Sequence, residues 1–149
     1  MSLPLDPDTV SHGIQLAVAP VFLLTAVAGM IGVVATRLAR IIDRARLVEA
    51  RMKNNLTTAE RASDQKELGE LRSRGLLANG SIGLLTLCAF LIGATIMLLF
   101  LGEAIELRVL RVPMMTFLAG IVSFMLALGC FMAETMIATR LLNFGHHRR

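Results

Sequence analysis

Three long stretches of the chain contain no Asp, Glu, Lys or Arg. They cover residues 9–36, 75–102 and 112–133. A helix needs about 20 consecutive apolar residues to cross a hydrocarbon core about 30 Å thick, and each stretch is longer than that. The pattern therefore predicts three membrane-spanning helices. We place them at about residues 14–36, 78–102 and 112–136.

The segment between the first two spans is charged but keeps a helical period. One face carries Leu38, Ile41, Ile42, Ala45 and Met52, and another carries Arg37, Arg40, Arg44 and Arg51. This pattern is typical of an amphipathic helix that continues out of the membrane. Two asparagines, Asn54 and Asn55, indicate its end. Thr57 and Glu60 have the spacing of a capping box that opens the next helix.

We therefore expect an antiparallel helical hairpin between the first and second spans, over residues 37–76. Its apolar face is too broad for one partner helix to cover, which favours association with further copies of the chain. Only nine residues, 103–111, connect the second and third spans, so these two must be antiparallel neighbours. The predicted fold class is an all-α integral membrane protein with three transmembrane helices and a helical hairpin.

The amino-acid composition agrees with a membrane protein. Hydrophobic residues make up 55% of the chain and the mean hydropathy is +0.68. Soluble domains average about 45–50% apolar residues. A water-soluble globule is therefore excluded, and we expect a single membrane domain over residues 1–149, without a separate catalytic domain outside the membrane.

Basic residues are concentrated in the hairpin. Ten of the fifteen Lys and Arg residues lie between Arg37 and Arg74. Because cytoplasmic segments carry the excess of Lys and Arg, the hairpin and the C-terminus are predicted to be cytoplasmic and the N-terminus outside. Trp and Tyr are absent, so the basic residues have no interleaved aromatics to stack on nucleic-acid bases. Anionic lipid headgroups are the expected partners, and Arg37, Arg40 and Arg44 are candidate contacts to a lipid or anion.

The third span carries a line of small and polar residues. At about 100° per residue, one line contains Thr116, Gly120, Ser123, Ala127, Cys130 and Glu134. Small residues let helices approach closely in lipid, which favours a packing face. Alternatively, the line faces a pore in an oligomer. Glu103 and Glu106 would then form an acidic ring at its outer mouth.

Glu134 adjoins the apolar part of the third span on the cytoplasmic side. A carboxylate at this depth needs a partner or water. We consider two roles: an ion pair with Arg37, Arg40 or Arg140, or a contact to an ion or proton.

The sequence contains no defensible catalytic or metal-binding group. Cys88 and Cys130 are isolated within spans, and adjacent His146 and His147 lack the spacing of a zinc site. We therefore expect no enzyme activity, no cofactor and no resident metal.

One block supports a family resemblance. Residues 19–25 read APVFLLT and residues 37–46 read RLARIIDRAR. This block resembles an uncharacterised family of small bacterial inner-membrane proteins, a domain of unknown function. The resemblance implies a bacterial inner-membrane location and brings no known active site with it.

Two functions remain open from the sequence. The first is a non-enzymatic, homo-oligomeric inner-membrane protein that acts as a scaffold or interaction module through its hairpin. The second is a small oligomeric ion channel with the polar line of the third span near the pore.

Overall fold

The computed structural model describes residues 7–53, 57–104 and 111–144, and all of these except Lys53 and Thr57 lie in three helices. Helix α1 is Pro7–Met52, α2 is Thr58–Ala104 and α3 is Arg111–Phe144. No strand occurs among the described residues. The prediction of an all-α chain is confirmed for this part of the protein.

All three helices are long and apolar enough to cross a membrane. The candidate spans lie within Val18–Met52, Thr58–Gly102 and Arg111–Thr139. Large apolar side chains on their outer surfaces are exposed, among them Phe22, Phe90 and Met114. Such surfaces suit contact with lipid, where a helix satisfies its own backbone hydrogen bonds. The prediction of three helices long and apolar enough to span a membrane is therefore confirmed.

The chain divides into two compact units, each of which includes parts of all three helices. The first unit consists of Met1–Met30 and Leu84–Met125. The second consists of Ile31–Gly83 and Leu126–Arg149.

Close contact between α2 and α3 characterises the first unit. Leu85, Cys88 and Ile92 of α2 are fully buried. The hydroxyls of Thr95 and Thr116 lie 2.9 Å apart, within hydrogen-bonding distance. A Cβ atom added to Gly120 would lie 3.0 Å from Cδ1 of Ile92. The missing side chain of Gly120 therefore lets the two helices approach closely, as small residues commonly do in membrane proteins.

The charged segments of α1 and α2 pack against each other in the second unit. Arg51 pairs with Asp64 at 3.7 Å, and Arg44 pairs with Glu67 at 2.7 Å. Since the later residue of α1 meets the earlier residue of α2, the two segments are antiparallel. An apolar core that includes Ile41 lies between them.

Buried positions recur every seven residues along the first two helices. In α1 they are Pro20, Val27, Val34, Ile41 and Val48. In α2 one series is Asp64, Leu71, Ala78, Leu85 and Ile92, and a second is Ser81, Cys88 and Thr95. A seven-residue period keeps one seam of a helix facing its partner, as in coiled coils. The repeat explains why a narrow line of each helix is buried while most of its surface stays exposed.

A capping interaction starts α2. The backbone N–H and the hydroxyl of Thr57 both donate to Oε2 of Glu60, at 2.9 and 2.6 Å. The N–H of Arg61 donates to the carbonyl of Thr57 at 3.0 Å. Glu60 therefore reaches back to Thr57 as predicted for a capping box. The hydroxyl bond, followed by the backbone bond, lowers the pKa of Glu60 from its ordinary value of 4.5.

This cap predicts a local dependence on pH. Because the folded-state pKa of Glu60 is lowered, its contribution is complete above 4.5 and is lost as pH falls through the lowered pKa. We expect the amides of Thr57 and Arg61, which are hydrogen-bonded at this cap, to lose protection from hydrogen exchange in acid, after correction for intrinsic exchange rates. Glu60→Gln should remove this dependence. Equal acid sensitivity in the Gln variant would show that another group is responsible.

Candidate functional site

The most deeply buried carboxylate in the described structure lies on α3. Glu134, on α3, is 1% exposed. It lies seven residues after Ala127 and fourteen after Gly120, both of which are also buried. The helical period therefore turns Glu134 towards the other helices rather than towards lipid.

Two arginines bind Glu134 from the two other helices. Arg37 of α1 donates from Nη1 to Oε2 at 3.0 Å. Arg74 of α2 donates to Oε1 from Nη2 at 2.9 Å and from Nε at 3.1 Å. Both carboxylate oxygens are thus satisfied, and all three helices are joined at one point. We call Arg37, Arg74 and Glu134 the charged triad.

Neighbouring groups hold Arg37 in place. Its Nη1 also donates to the hydroxyl of Thr135 at 2.8 Å, and that hydroxyl donates to the carbonyl of Phe131 at 2.9 Å. The guanidinium carbon lies 5.0 Å from the centroid of the Phe131 ring, within the range of a cation–π contact. Hydrogen bonds and an aromatic face therefore fix the same guanidinium.

The triad carries one more positive than negative charge. Burying a charge is costly unless hydrogen bonds and an opposite charge compensate it. Glu134 receives both kinds of compensation. The side chains of Arg37 and Arg74 are 42% and 22% exposed, so they retain partial access to the surroundings. The arrangement therefore forms an internal ionic crosslink whose excess positive charge lies at its more exposed edge.

Most of the small and polar line of α3 packs inside the chain. Thr116 contacts Thr95, and Gly120 contacts Ile92. The hydroxyl of Ser81 donates to the carbonyl of Ala127 at 2.9 Å. Ser123 is buried and Cys130 is half-buried. These contacts favour the packing interpretation of the line over a pore lining.

The other candidate residues lie in different surroundings. Arg44 pairs with Glu67, and Arg40 is exposed on α1 without an ion pair among the described residues. Glu106 and the side chain of Glu103 lie outside the described residues, so the acidic ring stays a prediction. The side chain of Arg140 is also outside them.

Arg74 was not among the residues predicted to pair with Glu134. A signal for it exists in the sequence. Arg37 directly follows one charge-free stretch, Arg74 directly precedes the next, and Glu134 directly follows the third. In a protein with three spans these positions lie at the same side of the membrane and at similar depth. The positions of the stretch ends could therefore have identified all three residues together.

The described part of the chain offers no cluster suited to a metal ion. Within residues 7–53, 57–104 and 111–144, no three His, Cys, Asp or Glu side chains come close enough to hold one. Cys88 and Cys130 are free thiols.

Three apolar helices joined by a buried ionic crosslink define a multi-pass α-helical membrane protein. Residues 17–144 match the model of a family described as "Protein of unknown function (DUF2721)". Because the match covers most of the chain, the protein belongs to this family, which confirms the resemblance to an uncharacterised family. No curated protein and no solved structure matches the chain.

The triad predicts an order of stability among single variants. Arg74→Gln removes two hydrogen bonds and leaves Glu134 buried with reduced compensation, so we expect a loss of about 2–4 kcal/mol in the free energy of unfolding. Arg37→Gln should cost less, because Arg37 is more exposed and gives Glu134 one hydrogen bond. Unfolding in detergent, followed by circular dichroism, measures both.

Arg72→Gln is the matched control, because Arg72 is exposed and forms no ion pair among the described residues. We expect its free energy of unfolding to stay close to that of the wild type. If all three variants unfold alike, the triad does not stabilise the protein.

Proposed function

We propose that this chain is a non-enzymatic, homo-oligomeric protein of the bacterial inner membrane that acts as a scaffold or interaction module through its charged helical hairpin. The hairpin consists of the end of α1 and the beginning of α2, residues 37–76. In this proposal it lies in the cytoplasm with the C-terminus, and the N-terminus lies outside.

The distribution of charge supports this orientation. Residues 37–74 contain ten basic and six acidic residues, so the whole formal net charge of +4 resides in the hairpin. Segments rich in Lys and Arg are retained on the cytoplasmic side. The same charge would attract the anionic lipids of the cytoplasmic leaflet, and exposed Arg40 and Arg46 are suitable contacts.

The observation that carries oligomerisation is an exposed face of small residues on α1. Gly32, Ala35, Thr36 and Ala39 lie on the side of the helix opposite buried Val34 and Ile41. The hydroxyl of Thr36 donates to the carbonyl of Gly32 at 2.8 Å, so it needs no external acceptor. We call Gly32, Ala35, Thr36 and Ala39 the small α1 face.

The small α1 face suits contact with a second copy of the chain. Lipid tails solvate large apolar side chains as well as another helix does, so the exposed large residues within the spans need no protein partner. A face of small residues differs, because it allows two backbones to approach and gain dispersion contacts. Two copies meeting along the small α1 face would bring two hairpins side by side and create a larger docking surface.

We do not propose the ion channel. Its candidate lining was the polar line of α3, and several members of that line contact α2 within one chain. The function proposed instead uses surfaces that the chain leaves exposed.

Oligomerisation is tested by Gly32→Leu with Gly129→Leu as the matched control. Both glycines are exposed in a span, and a Cβ atom at either would meet nothing within 4 Å. Light scattering in mild detergent should show an oligomer for the wild type and for Gly129→Leu. Gly32→Leu should weaken association at least tenfold. A monomeric wild type, or equal association of both variants, would refute the proposal.

Orientation is tested separately by labelling single cysteines in a chain whose Cys88 and Cys130 are replaced by Ala. Lys53→Cys lies at the end of α1, and Ser2→Cys marks the N-terminus. In intact cells a membrane-impermeant maleimide should label Ser2→Cys, and it should label Lys53→Cys only after permeabilisation. The reverse pattern would place the hairpin outside.

A further inference from the structure

A small open groove lies on the hairpin, apart from the small α1 face. Its volume is about 250 Å³, and Arg44, Glu67, Glu70, Leu71 and Arg74 line it. This volume is below the roughly 300–1,000 Å³ of pockets for drug-sized ligands, so the groove suits a compact polar group.

The charges in the groove are unequally compensated. Arg44 is paired with Glu67, and Arg74 is paired with Glu134. Glu70 precedes Arg74 by one helical turn, the usual spacing of an ion pair on a helix. Because Arg74 turns its guanidinium to Glu134 instead, Glu70 has no ion pair among the described residues. The groove therefore presents one carboxylate that can accept a cation.

The same groove presents hydrogen-bond donors to an anion. Arg44 uses Nε and Nη2 to bind Glu67, and Arg74 uses Nε and Nη2 to bind Glu134. Within the described residues, Nη1 of neither arginine takes part in a hydrogen bond. Guanidinium N–H groups of this kind suit phosphate oxygens. Glu70 and two arginines, each with an Nη1 outside the hydrogen bonds above, thus line one small volume.

The position of the groove along the helices matches the lipid headgroups. Arg74 directly precedes the charge-free stretch that begins at residue 75. Arg44 lies seven residues beyond Arg37, or roughly 10 Å along the helix at 1.5 Å per residue. The headgroup layer extends several ångströms beyond the hydrocarbon core on each side. A lipid headgroup can therefore reach the membrane-proximal end of the groove, at Glu70 and Arg74, without leaving the membrane.

We propose that this groove binds a zwitterionic group with an ammonium and a phosphate, of the phosphoethanolamine type, as a lipid headgroup or as a free phosphate ester. The ammonium pairs with Glu70, and the phosphate accepts hydrogen bonds from Arg44 and Arg74. An anionic headgroup satisfies only the arginines and leaves Glu70 unpaired. The inference rests on the membrane insertion assumed in the proposed function, but not on oligomerisation.

The test compares three ligands on the purified full-length protein in mild detergent, by isothermal titration calorimetry. They are short-chain phosphatidylethanolamine, short-chain phosphatidylglycerol and free phosphoethanolamine. We expect the ethanolamine lipid to bind at least tenfold more tightly than the glycerol lipid. If free phosphoethanolamine binds as well as the ethanolamine lipid, the occupant is the soluble ester. If it binds more weakly, the occupant is the lipid.

Glu70→Gln should weaken binding of the ethanolamine lipid at least fivefold and leave the glycerol lipid unaffected. Glu49→Gln is the control, because Glu49 is exposed on the hairpin outside the groove and forms no ion pair among the described residues. Circular dichroism verifies that both variants keep their helix content.

Equal affinity of the wild type for both lipids would overturn the proposal, as would equal effects of the two substitutions. Light scattering on the same samples separates this result from a failure of the proposed function. If Glu70→Gln changes the oligomer mass but not the lipid affinity, Glu70 pairs with a basic group of another copy and the headgroup site is refuted. If the wild type is monomeric yet selects the ethanolamine lipid, the headgroup site stands and the oligomer does not.

Discussion

The structure depends on the compensation of one buried negative charge. Glu134 can occupy the interior only because α1 and α2 each supply an arginine to it. In a low-dielectric environment an uncompensated carboxylate would cost more than the surrounding apolar contacts return. The ionic contact is also directional, whereas apolar packing among Leu, Val and Ala tolerates sliding. The triad therefore selects one arrangement of the second unit from several that hydrophobic packing alone would allow.

Much of the fold could be predicted from the sequence because it depends on local patterns. Charge-free stretches define the three apolar helices, and the spacing of Thr57 and Glu60 defines the start of α2. These features need no knowledge of how one helix is rotated relative to another. The need of Glu134 for a partner was also predictable, since the linear sequence already shows that it lies next to an apolar stretch.

The choice of partners was harder to predict, because it depends on rotation about the helix axes. Arg37 and Arg40 are one turn apart, yet Arg37 reaches Glu134 and Arg40 is exposed. Arg74 belongs to the hairpin's second helix, whose rotation follows from the buried seven-residue repeat. That repeat is weak in the sequence, because Asp64 and Ala78 occupy two of its positions in α2. The packing inside the hairpin was therefore harder to predict from the sequence than the positions where its helices begin and end.

The triad also sets a limit on changes in chain length. One residue inserted between Ala127 and Glu134 would rotate the carboxylate by about 100° and shift it by about 1.5 Å, away from both arginines. An insertion in α1 between Val34 and Arg37 would displace the other end of the same contact. The lengths of separate helices are therefore linked through a single carboxylate, and homologous chains should accommodate insertions outside these helical segments.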